Sequence, residues 1–216
     1  MSETGTFRGD TIEVRIRTLD WLAANGISAV ETLPFLDSQI AFRSGAEASG
    51  RLLCLYLTAL RAVVDSKDSY MGWLAEHRLL NTVTPRELDI IEGRASDQGF
   101  ANSCVESAWA LAWAISLYPS FDALAFVCPD DLVDHAPRIW VTAEVQSLRA
   151  RATLRPSELL VQELDKAYCL HWASAEAGMR GERAPGGVPP YAVEARRRSF
   201  EWLVSDDPWD DVFMDT

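Results

Sequence analysis

Three side chains in this sequence could together move a proton and hold an anion: the carboxylate of Glu106, the imidazole of His171 and the guanidinium of Arg196. Among apolar neighbours, a carboxylate and an imidazole can act as acid and base, and a guanidinium can fix a charged substrate. Each lies on a helix face that packing would otherwise fill with carbon. In ESAWALAWAISL (106–117), a rotation of about 100° per residue sets Glu106 within about 60° of Trp109, Ala110, Trp113 and Leu117. His171 continues the stripe Leu160, Leu164, Ala167, flanked by Tyr168 and Trp172, with Asp165 well round the helix. In YAVEARRRSFEWLV (191–204), the stripe of Val193, Phe200, Leu203 and Val204 takes in Arg196 and Arg197, whereas Arg198 points away.

The same pattern has a structural reading. Burying an unpaired charge is strongly unfavourable, so Glu106 must meet a cation or hold a proton. Arg196 can lay its stem along the apolar face and give two parallel bonds to the carboxylate, which makes it the first candidate partner, with His171 second. The cluster Glu106, Asp165, His171, Arg196 and Arg197 therefore reads either as internal ion pairs that orient helices or as a catalytic or ligand site.

Around these residues the familiar reaction signatures are missing. The sequence has no Gly-rich phosphate loop, no G-x-S-x-G elbow and no H-E-x-x-H pair. His77, His135 and His171 are far apart, and Cys54, Cys104, Cys128 and Cys169 sit in apolar contexts with no C-x-x-C, so they read as buried thiols in a reducing compartment. No metal and no cofactor is expected.

Helical periodicity supplies nearly all the elements that must position these groups. Ile12, Ile16, Leu19 and Ala23 form the apolar stripe of a first helix that stops at Asn25-Gly26, and an irregular connection follows through ETLPFLDSQIAF (31–42). A long helix spans 43–64, with Arg43, Glu47 and Arg51 as a solvated charge ladder. YMGWLAEHRLL (70–80) reads as a short helix; Thr84-Pro85-Arg86-Glu87 is a capping box opening another that ends near Gly93. Further helices are expected over 97–117, 128–135, 137–151, 157–177 and 191–204. The fold class is mainly α: one compact domain of about eight helices, with at most a short β element near 121–128 or 139–142. A flexible N-terminus (1–10) precedes the helical domain (11–204, with an internal loop at 180–190), and an acidic tail (205–216) packs on it through Trp209, Val212 and Phe213.

The chain has 216 residues, 48% of them hydrophobic and 24% charged, and a net charge of −12. That charge repels nucleic-acid phosphates and anionic membranes and attracts a basic protein surface. The longest apolar runs are about half of what a bilayer span requires, and the first ten residues lack the pattern of a secretory signal. A cytoplasmic protein is expected.

Six short patterns, in order and at their spacing, resemble those of a bacterial family grouped as domain of unknown function 4272. They are RS-x-x-E with Arg51 (Arg43, Ser44, Glu47), TP-x-E (Thr84, Pro85, Glu87) and E-x-x-W-x-L-x-W-A (Glu106 to Ala114). D-x-x-Y-x-x-HWA (Asp165 to Ala173), R-x-x-x-x-x-WL (Arg196, Trp202, Leu203) and WDDV-x-x-DT (Trp209 to Thr216) complete the set. The resemblance covers the chain from about Arg17 to its last residue and implies a mostly helical intracellular bacterial protein, with no substrate attached. It also implies basic residues at the positions of Cys104 and Cys169, a histidine at that of Arg197 and a glutamate at that of Ala195. This chain has thus either altered its polar cluster or repacked it neutrally.

Two functions follow as expectations. The first is a non-enzymatic intracellular interaction protein, an inhibitor or immunity-type protein covering a basic partner through Asp206, Asp207, Trp209, Asp210 and Asp211. The alternative is an enzyme or small-ligand binder using Glu106, His171 and Arg196.

Overall fold

The computed structural model describes residues 5–28, 32–64 and 70–215. Within them the chain is mainly helical, with one two-stranded sheet. The strands are β1 (Thr6–Arg8) and β2 (Gln39–Ala41), antiparallel, with Phe7 opposite Ile40 and both buried. The short β element lies here and not near 121–128 or 139–142, where the chain is turns and irregular backbone until a helix opens at 142. The sequence 6–8 belongs to the stretch expected to be flexible, and residues 1–4 of that stretch lie outside the described residues.

Side-chain caps start α-helices at Asp10, Ser44, Thr84 and Asp97. Asp10 accepts the amides of Ile12 and Glu13 to open α1 (Thr11–Ala24), which stops at Asn25 with Gly26 at a φ of 69°. Ser44 and Glu47 form a capping box on α2 (Gly45–Val63); a Cβ at Gly45 would collide with the carbonyl of Ala152, so only glycine lets this helix start so close. The helix α3 (Met71–Glu76) is short, and α4 (Pro85–Ile91) carries the Thr84–Glu87 box with proline in its first turn. Asp97 caps α5 (Gln98–Ala114), followed by the single turn α6 (Leu132–His135) and by α7 (Thr142–Arg151). The two long elements α8 (Ser157–Met179) and α9 (Pro190–Val204) flank the 180–190 segment, which holds one 3-10 turn at Pro185–Gly187.

The helix α5 packs between α2 and α9, α9 lies on α8, and α8 lies on α1. Small residues make the centre possible: Ala108, Ala110, Ala112 and Ala114 are all buried, so α5 carries its indoles outward among close neighbours. Trp113 meets Phe200 and Phe121 at ring separations of 6.0 and 5.6 Å.

Two expected faces are reversed. On α1, Ile12 and Ile16 are exposed, whereas Val14, Arg15, Thr18 and Leu22 are buried. Period alone favoured the apolar stripe; the helix instead turns inward the face whose guanidinium finds a buried carboxylate. On α2, Arg51 is 1% exposed and is no part of a solvated ladder, although Arg43 and Glu47 do pair near the surface at 3.6 Å.

Candidate functional site

Glu106 on α5 and Arg196 on α9 face each other in the interior. Arg196 donates from Nε and Nη2 to one carboxylate oxygen, at 2.9 and 2.7 Å. The other oxygen accepts the amide of Cys128 at 2.9 Å. Arg196 Nη1 donates to the carbonyls of Ala123 and Ala125, at 3.1 and 2.8 Å, and its plane lies 4.9 Å from the Trp109 ring. The pair therefore fastens the 123–128 loop to the central helices. That segment needs no strand ladder, because side chains meet these backbone groups.

Two further guanidiniums work in the same way. Arg15 on α1 donates to Asp165 on α8, from Nη2 at 2.8 Å and from Nε at 3.1 Å, and to the carbonyls of Leu33 and Pro34. Asp165, set apart from the His171 stripe in the sequence, is thus buried on the side that faces α1. Arg51 meets Glu87 and gives a second bond to the carbonyl of Thr82 at 2.7 Å. Sequence reasoning missed Arg15, Arg51 and Glu87. A usable signal was the capping box, since Glu87 spends one oxygen on the Thr84 amide and is left with another to satisfy. A second was the run LLCLYLTAL beside Arg51, too apolar to leave that helix a solvated flank.

His171 belongs to another group. Arg197 Nη1 donates to its Nδ1 at 2.8 Å, which fixes the imidazole as a neutral acceptor there. Arg197 also bonds Glu201 at 3.1 Å and, on Asp215, the carbonyl at 2.7 Å and the carboxylate at 3.3 Å. Among the described residues no hydrogen bond or ion pair joins this group to Glu106 and Arg196. Neighbours along α9 point about 100° apart, so Arg196 and Arg197 serve different clusters. Two of the three candidate residues therefore come together, and the third is held by a different arginine.

Burial, followed by the charge of Arg197, lowers the His171 pKa from 6.5 to about 4. The unfolded chain then binds a proton that the folded chain refuses, so this residue costs stability as pH falls from 6.5 towards about 4. Above 6.5 the effect is absent. Melting temperatures recorded across that window should decline in the native protein, and His171→Gln should flatten its own share of the decline.

The thiols offer no nucleophile. Burial pushes Cys104, Cys128 and Cys169 up to about 12 and Cys54 up to about 11, so each stays protonated at neutral pH. Cys104 and Cys169 are not neighbours, lying in separate apolar clusters, with Cys104 near Arg51 and Cys169 near Arg15. Among the described residues, no three His, Cys, Asp or Glu side chains are grouped to hold a metal, and no helix is long and apolar enough to cross a membrane.

The C-terminal segment is tied down along its length. Trp209 is buried, 4.7 Å from the Arg51 guanidinium and 5.7 Å from the Trp202 ring, and Val212 is buried beside the same core. Arg43 donates to the carbonyl of Asp207 at 2.7 Å, and Arg197 holds Asp215. Phe213 does not pin the tail, because it is 75% exposed. The side chains of Asp206, Asp210 and Asp211 are exposed and have no ion-pair partner among the described residues, while Asp207 accepts only the Ser205 hydroxyl. Asp210 and Trp209 also edge a cleft of about 840 Å³, which Phe100 and Cys104 of α5 and Tyr191 and Arg198 of α9 help to line. Its charged rim is mostly self-compensated, Arg86 pairing with Asp97 and Arg198 with Glu194.

The family model described as "Domain of unknown function (DUF4272)" matches residues 15–212, and the chain belongs to that family. No curated protein and no solved structure matches it.

Proposed function

We propose that this member of the family is a non-enzymatic interaction protein that covers a basic surface on a partner protein, in the manner of an inhibitor or immunity-type protein. One observation carries the reading: Asp206, Asp210 and Asp211 stand exposed, with no ion-pair partner among the described residues, on a segment that Arg43, Trp209 and Arg197 hold in place. Carboxylates on a fixed backbone meet a basic partner with less ordering cost than a loose tail would. The net charge of −12 adds a long-range field that favours such a partner over nucleic acid or an anionic membrane. Against an acid-base enzyme, the Glu106 carboxylate and the Arg196 guanidinium are taken up by each other and by loop backbone, and His171 is locked on Arg197. A cytoplasmic location accords with four free cysteines.

Electrostatic association is screened by salt, over a Debye length of about 10 Å at 0.1 M ionic strength. Affinity capture from the native host should therefore recover a stoichiometric basic protein at low salt and lose it progressively as salt rises. Recovery of no stoichiometric partner, or of one indifferent to salt, would count against the reading.

A further inference from the structure

We propose that the hollow between the 34–36 segment and the C-terminal tail receives an arginine side chain of the partner. The proposal rests on the reading of the protein as an acidic binding module and assigns it a specific receptor.

The hollow measures about 420 Å³, within the range of ordinary ligand pockets. Its walls are largely apolar, and two of its rings, Phe35 and Phe213, are 52% and 75% exposed. Scattered exposed hydrophobes are normal; two phenyl rings on the walls of one concavity make a patch that a partner can cover. Three carboxylates, those of Glu201, Asp207 and Asp215, share this lining with a single cation, Arg197. Arg197 is buried and its bonds are directed to His171, Glu201 and Asp215, so the lining keeps an excess of negative charge. Charge complementarity therefore calls for a cation, and the exposed rings call for one with an apolar stem and a flat head.

The protein's own interior shows which cation fits such a setting. Arg43 lies over Trp202, Arg51 over Trp209, Arg196 over Trp109 and Arg197 over Tyr168, at 4.4 to 4.9 Å, and each also bonds a carboxylate or a carbonyl. A ring for the guanidinium plane and an oxygen for its edge recur each time. In the hollow Arg15 lies over Phe35 at 5.3 Å and Arg197 over Tyr168 at 4.7 Å, but among the described residues no cation lies over Phe213, and the Asp215 side chain beside it is 57% exposed although Arg197 reaches it at 3.3 Å. An incoming arginine would lie on Phe213 and turn its edge to Asp215 or Asp207.

The test is an amide-resolved NMR titration of the full chain with acetyl-Gly-Arg-Gly-amide, alongside its lysine and citrulline counterparts. Saturable shifts confined to Phe35, Tyr168, Glu201 and 207–215 are expected, weaker with lysine and absent with uncharged citrulline. Phe213→Leu keeps an apolar residue but removes the ring face, and it should weaken the arginine peptide by about threefold or more, while Phe213→Tyr should retain it. Shifts elsewhere, equal response to citrulline, or indifference to Phe213→Leu would overturn the assignment. If salt-sensitive partner capture persists in Phe213→Leu at native strength, the hollow is wrong and the acidic-tail reading stands. If the hollow responds as expected while capture yields no basic partner, the reverse holds.

Discussion

Replacing Glu106 by glutamine is expected to lower the unfolding free energy by about 3–5 kcal/mol, the usual cost of removing one member of a buried ion pair. The amide could still accept the Cys128 N–H, but it would leave the Arg196 guanidinium uncompensated at 2% exposure. Arg196→Gln should cost at least as much, because it also strips the carbonyls of Ala123 and Ala125 of their donor. In the double variant neither charge remains, so the two losses should fall short of adding by about 0.5–3 kcal/mol. Urea unfolding of the four proteins measures this coupling. Hydrogen exchange at the Cys128 amide should accelerate in both single variants, since that amide ends on the Glu106 carboxylate. Strict additivity would mean that the pair does not organise the core.

How much of this was visible in the sequence depended on whether a residue's role was local. Caps were legible: Ser44, Thr84 and the Asn25-Gly26 stop each act within a few residues, and the helices begin and end close to where those signals stand. The pairing of Glu106 with Arg196 was legible for a different reason, as each was a charge on an apolar stripe with nowhere else to go. Arg15 and Arg51 were not, because each had a nearby alternative that looked sufficient. Arg15 lay beside a better apolar stripe on its own helix, and Arg51 stood four residues from Glu47. Their true partners, Asp165 and Glu87, are 150 and 36 positions away, and helical spacing carries no information at that range. The β element failed similarly. Residues 121–128 have strand-like composition, yet the backbone there is met by the Glu106 and Arg196 side chains, whereas Thr6–Arg8 gains a ladder only because 39–41 folds back on it.

The tail divides in the same terms: Trp209 and backbone carbonyls bonded by Arg43 and Arg197 tie it to the fold, while the carboxylates of Asp206, Asp210 and Asp211 are exposed. Converting Asp206, Asp210 and Asp211 together to asparagine should leave thermal stability close to native, because none of the three is in an ion pair among the described residues. The same change removes much of the local field, and steering of this kind raises association rates by about 10- to 1,000-fold. Loss of rim charge acts mainly on the association rate and on its salt dependence, while a partner's apolar contacts keep their dissociation rate. The deciding measurement is capture of the native-host partner by the native protein and by this triple variant side by side, with both melting curves recorded. Equal melting with the partner retained by the native protein and lost from the variant is the result expected. Equal recovery by both proteins would contradict the account.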